Sequence, residues 1–203
     1  MKHIVKQSEP PGLSYAREHH LDWNEFHKQC RDVYAVCIEQ ANKEQDGECA
    51  YTGMPLNSNT EIHIDHFKKK SIYGELTFVW TNLFAAVKDC HYGADYKDDR
   101  INGTNAATIY SSLLNPAIET PDSYFWYSNN GNIEPLTGLT DVERQRAETT
   151  IRIFNLNSPI LVNRRRELFS MLQYYKDLTM SETLSALKKV GFSFVISAFY
   201  QYN

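Results

Sequence analysis

The residues whose types and order could do chemistry lie between positions 63 and 91. They are His63-Ile64-Asp65-His66-Phe67, then Asn82, then Cys90-His91. Hydrolysing a phosphodiester requires a base for the attacking water, a charge that stabilises the phosphorane, and help for the leaving oxygen. A divalent ion supplies the last two as a Lewis acid. An imidazole, titrating near neutrality, suits the first. Asp65 is a hard oxygen donor suited to Mg²⁺ or Mn²⁺. In an extended backbone His66 points away from Asp65, so the carboxylate can face a metal while the imidazole faces water. Asn82 can fix the ring of His66 by a hydrogen bond, and His91 can return as a second metal ligand. His63 shares a strand face with Asp65 and reads as a supporting or structural histidine.

The elements that must position these groups follow from periodicity and caps. Residues 22–45 read as a helix opened by Asp22 with Glu25 three residues on, the pattern of a capping box. Trp23, Phe26, Cys30, Val33, Tyr34, Cys37 and Ile38 form its apolar face. Cys49 to Gly53 reads as a short strand or knuckle and Ile62 to Phe67 as a strand, two short strands being the simplest reading, and Asn82 to about Cys90 reads as a helix. The expected local order is strand, strand, helix. Further on come a short helix at 105–113 and a hairpin flanking Asn129-Asn130-Gly131. Three helices follow: Thr140 to Phe154, Ser158 to about Leu178, and Ser181 to about Lys189. Residues 192–202 read as an apolar docked tail. Residues 7–13 read as an extended arm.

The 203 residues suit one domain. The expected fold class is α+β, with a core at 47–100 inside a mainly helical body, a small β-hairpin, and a helical C-terminal part at 139–203. A hydrophobic content of 42% and a charged content of 23% are globular values. No segment reads as a membrane span or a leader, so the expected compartment is cytoplasmic. Cys30, Cys37, Cys49 and Cys90 form no C-x-x-C pair. Cys30 and Cys37 read as core residues, and no disulfide framework is expected. The net charge of −4 argues against a strongly binding, free-standing nucleic-acid protein.

Asp65-His66, Asn82 and His91 resemble the HNH endonuclease motif, which sits on a ββα-metal fold. The resemblance implies that Asp65 and His91 bind one catalytic Mg²⁺ or Mn²⁺, that His66 is the general base and that Asn82 orients. Many HNH proteins hold a structural zinc on two C-x-x-C pairs. Here those positions read Cys49-Ala50-Tyr51-Thr52 and Val87-Lys88-Asp89-Cys90. Half the sulfurs are missing, so no structural zinc is expected and packing around Tyr51, Leu56, Phe67 and Trp80 takes its place. The segments MKHIVKQSEPPGL, CAYTG, HIDHFKKKS, WTNLF and NLNSPILVNRRRELF resemble the HNH subunits of Septu and retron-linked anti-phage systems, the PtuB subunits. That implies a PtuA-like ABC/SMC ATPase as partner, in retron forms also a reverse transcriptase with its multicopy single-stranded DNA (msDNA), and DNA or tRNA as target.

Beside such a site, the run Lys68-Lys69-Lys70 reads as phosphate-binding, with Lys70 foremost, followed by Lys68, Lys97 and Arg100. Arg164-Arg165-Arg166 span most of a helical turn and read either as nucleic-acid contacts or as a partner face. The aromatic run Tyr124 to Tyr127 reads as hairpin packing before base stacking. Two rival readings remain: a non-catalytic assembly subunit on the same scaffold, and a stand-alone restriction or repair nuclease.

Overall fold

The structure is a computed structural model and describes residues 1–202; Asn203, the last residue of the expected helical part, lies outside them. The chain is α+β and mainly helical, with two small antiparallel sheets of two strands each among the described residues. No helix there is long and apolar enough to cross a membrane.

Helix α1 (Leu13–Glu18) follows the N-terminal arm, then α2 (Trp23–Gln29) and α3 (Arg31–Glu44). The capping box at Asp22 forms as expected, with the side chain accepting from the Asn24 and Glu25 amides. The single helix expected over 22–45 is broken at Cys30, whose φ of −116° and ψ of 47° leave the helical region. The break changes which residues face inward. Cys37 is buried as expected, whereas Cys30 is partly exposed.

Strand β1 (Ile62–His66) pairs antiparallel with β2 (Leu83–Val87), with Asp65 opposite Phe84 and His66 opposite Leu83. The helix expected from Asn82 to Cys90 is therefore a strand. All five residues of β2 are buried, and such a continuous apolar run has no period to separate helix from strand. Its other edge is also satisfied. The Gln45 side chain bonds both the amide and the carbonyl of Ala85, at 2.9 and 2.8 Å. The helix arrives later, as α4 (Gly93–Arg100). The order strand, strand, helix holds with shifted members. Of the two readings of 49–53 the knuckle holds, closed by the bridge between Glu48 and Pro55 and by the Cys49 amide on the Met54 carbonyl. Gly53 in the knuckle has φ +76°, and a Cβ there would meet the Phe194 ring at 2.2 Å.

After α5 (Ala106–Ser112), strands β3 (Phe125–Tyr127) and β4 (Ile133–Pro135) form the expected hairpin. Phe125 and Tyr127 point into the core. Helices α6 (Asp141–Ile153) and α7 (Pro159–Leu172) start at their expected caps, Thr140 and Ser158. Helix α7 ends earlier than expected. Helix α8 (Met180–Ala186) is capped by Thr179 in place of Ser181, and α9 (Ser193–Tyr202) is the docked tail. The helical half closes on the first sheet through Phe154, which stacks on Tyr51 at 4.5 Å and accepts from the Gly93 amide at the start of α4.

Candidate functional site

Alternation along β1 separates the chemistry-bearing residues onto two faces. Ile64 and His66 face α2 and α3: the Ile64 amide donates to the Tyr34 hydroxyl, and the His66 ring lies edge-on to Trp23 with centroids 4.4 Å apart. His63 and Asp65 face α4, where Asp95 and Lys97 meet them at 3.8 and 2.9 Å.

His66 closes β1 and is buried at 4% exposure. Its Nε2 lies 3.0 Å from the Thr77 carbonyl oxygen. A carbonyl can only accept, so Nε2 carries the proton and Nδ1 holds the lone pair of the neutral ring. Nδ1 has no protein partner and is not sealed from solvent. Burial pushes the imidazole down to about 4; the Asp65 carboxylate opposes this and the Lys70 ammonium adds to it. The ring is thus neutral at physiological pH, with one nitrogen anchored and the other able to take a proton.

Asn82 does not touch that ring, contrary to expectation. Its Oδ1 accepts from the Lys68 amide at 2.8 Å, and its Nδ2 donates to the carbonyls of Lys68 and Leu76 at 3.0 and 3.2 Å. Its backbone carbonyl accepts from the Phe67 amide. Asn82 therefore staples both ends of the loop between β1 and β2, and that loop delivers the Thr77 carbonyl to His66. The orienting group is a backbone oxygen, to which no residue type in the sequence points.

Asp65 is equally enclosed. Its Oδ2 accepts from the Tyr51 hydroxyl at 2.5 Å and from Lys97 Nζ at 2.9 Å. Burial alone would raise this carboxyl, but the Lys97 charge and the Tyr51 hydrogen bond outweigh it and hold it below its ordinary value. Lys97 is fully buried and donates also to the carbonyls of His66 and Phe67, at 2.7 and 3.2 Å. All three ammonium hydrogens are committed. Lys97 therefore cannot meet a phosphate, which corrects the reading of it as a phosphate ligand.

The other expected metal ligand, His91, is exposed just before α4. Its Nδ1 lies 3.0 Å from Asp89 Oδ1, with Cys90 Sγ at 3.5 Å. Among the described residues, Asp89, Cys90 and His91 form the group of three donors close enough to share an ion, and Asp65 is not a member. Asp65 and His91 each carry a donor of a type that suits a hard divalent ion, but the structure does not gather them into one donor group. Asp65 Oδ1 has no protein partner and keeps solvent contact, and Asp89 at Nδ1 leaves His91 Nε2 as a lone-pair donor. Magnesium ordinarily takes one or two protein ligands and completes its shell with water and substrate oxygens. His63 stays in a supporting position: its Nε2 lies 3.8 Å from Asp95, and its buried Nδ1 has no partner.

The remaining cations divide by surroundings. Lys70 is exposed. Lys68 is half-buried, its Nζ 5.3 Å from the Tyr73 ring centroid. Lys69 Nζ donates to the Asp98 carbonyl at 2.7 Å, at the C-terminal end of α4, where a cation meets the negative pole of the helix. Arg100 lies over the Tyr96 ring. In the arginine run, Arg165 is buried and bonds the Gly131 and Leu156 carbonyls at 2.6 and 2.7 Å, so its role is structural. Beside Thr77 and Lys70 a cleft of about 650 Å³ opens, walled by Trp23 and Phe78.

Tyr51 and Trp23 are site residues that sequence reasoning placed only in packing. Compared with known proteins, no family model matches the chain and no curated sequence is significantly similar to it.

Proposed function

We propose that this chain is a metal-dependent HNH-type endonuclease subunit that hydrolyses phosphodiester bonds of nucleic acid, with His66 as general base. One observation carries the reading: the Nε2–H of His66 is tied to the Thr77 carbonyl while Nδ1 is left as the lone pair of the ring with no protein partner, at the end of an antiparallel pair followed by α4. A water at Nδ1 gives up its proton as it attacks phosphorus. The imidazolium that forms keeps its bond to Thr77 and gains the attraction of Asp65. Lys70, exposed and with its charge reaching His66, would meet a non-bridging phosphate oxygen. Asp65 and His91 would hold the divalent ion, whose chemistry when bound is Lewis-acid stabilisation of the phosphate and leaving oxygen. Asn82 and Lys97 act through the backbone they hold.

The resemblance to anti-phage HNH subunits adds the rest of the proposal: an ABC/SMC-like ATPase partner, optionally a reverse transcriptase with its msDNA, and activity restrained until that assembly is triggered. The acidic chain is consistent with a nuclease whose grip on nucleic acid comes partly from a partner. A second reading, a non-catalytic assembly subunit, is favoured by the Lys97 ammonium on the carboxylate that a metal would use. His66→Ala separates the two. Loss of nucleic-acid cleavage with folding intact supports the nuclease; cleavage at the wild-type level refutes it.

A further inference from the structure

We infer that the cleft beside His66 receives one unpaired nucleotide of a single-stranded substrate, with the Trp23 indole as the wall for its base and Lys70 as the contact for its phosphate. The inference rests on the nuclease reading for its place in catalysis, though its binding chemistry stands by itself.

The cleft, about 650 Å³, runs between the α1–α2 junction and the loop after Lys70, a volume that admits a nucleotide. Its aromatic wall is firm: Trp23 is backed by Phe26 and Phe78 with ring centroids 5.4 and 5.6 Å away. The same indole stands edge-on to His66, so a base against it would bring its own phosphate to the catalytic imidazole. Bases of a duplex are stacked on each other and cannot reach such a wall; unpaired bases can.

The charges lining the cleft divide between committed and free. Arg17 bonds Glu9 and the Phe78 carbonyl. Asp22 caps α2. Lys70 has no hydrogen bond or ion pair among the described residues, yet its charge reaches His66. Glu75, exposed on the same cleft, would repel a phosphate but can accept from an exocyclic amine. The arrangement suits a base at one end and a phosphate at the Lys70 end.

The test uses the full chain carrying His66→Gln, which keeps bulk against Trp23, and labelled 12-mers of one sequence as single-stranded DNA, single-stranded RNA and duplex DNA. Anisotropy should show a single strand bound at least about ten-fold more tightly than the duplex. Trp23→Phe should retain that binding, whereas Trp23→Leu should weaken it by roughly ten- to a hundred-fold. Lys70→Ala, a surface change that leaves packing alone, should flatten the dependence of log affinity on log salt by about 0.7. Equal affinity for duplex and single strand, or equal affinity of the Phe and Leu variants, overturns the inference. Binding through Trp23 and Lys70, together with no cleavage by the assembled protein carrying native His66, supports the cleft and retires the nuclease reading. Duplex cleavage unaffected by Trp23→Leu retires the cleft and leaves the nuclease.

Discussion

Replacing Lys97 with Met removes an ammonium and keeps most of the stem that fills its place. In the native chain that ammonium is fully buried and serves Asp65 Oδ2, the His66 carbonyl and the Phe67 carbonyl. The variant leaves a carboxylate at 5% exposure with Tyr51 as its hydrogen-bond partner, and two carbonyls at the strand end without their donor. Breaking a buried pair by removing one partner costs about 3–5 kcal/mol. For a chain of this size that lowers the melting temperature by on the order of 10 °C. The sharper measurement is a double-mutant cycle with Asp65→Asn, read by urea unfolding at neutral pH. Removing both charges abolishes the stranded Asp65 carboxylate, while Asp98, 3.1 Å from the Lys97 ammonium, loses its cation in both variants, so the double variant should be more stable than Lys97→Met alone, with a coupling energy of about 2 kcal/mol or more. Additive effects, or a Lys97→Met cost below about 1 kcal/mol, would show that the pair does not hold α4 to β1 and that the account of how the site is built is wrong.

Asn82→Asp preserves the acceptor to the Lys68 amide and turns the two donations, to Lys68 and Leu76 carbonyls, into repulsions. It should cost about 2–4 kcal/mol and lower kcat about a hundred-fold or more with KM nearly unchanged; an equal fall in kcat/KM through KM alone would contradict its action through the Thr77 loop. A chelator should stop cleavage while leaving the melting temperature within a degree or two, because the knuckle packs through the Tyr51–Phe154 stack and has half the sulfurs of a four-cysteine zinc site; unfolding on chelation would reveal a structural ion. Burial pushes the Lys6 ammonium from 10.5 down to about 8, with Glu44 opposing. The unfolded chain therefore binds more protons between those values, so the stability linked to Lys6 is present above about 10.5 and is lost as pH falls through about 8. The difference in unfolding free energy between wild type and Lys6→Met should grow by roughly 3 kcal/mol from pH 8 to 10.5, and a flat difference would place Lys6 in solvent.

Helix starts were legible because a cap is a local event. Asp22 with Glu25, Thr140 with Glu143, and Ser158 with Pro159 each satisfy amides within four residues. What was not legible depended on distant partners. The run Leu83 to Val87 becomes a strand because β1 and the Gln45 side chain take its hydrogen bonds. Lys97 stands among Asp95, Asp98 and Asp99 and reads as a phosphate contact, yet Asp65 and Tyr51 draw it inward. The separate faces of Asp65 and His66 followed from strand alternation alone. The identity of what holds the His66 ring did not, since a backbone carbonyl supplied by a loop leaves no mark in residue type.

The central claim is that His66 takes the proton from the attacking water. Single-turnover cleavage of a nucleic-acid substrate by the assembled protein, wild type against His66→Ala, tests it most directly. The account predicts a loss of at least about a hundred-fold in the cleavage step, with the chain still folded but destabilised by the lost ring and the unpaired Thr77 carbonyl. Cleavage by His66→Ala at the wild-type rate would contradict it.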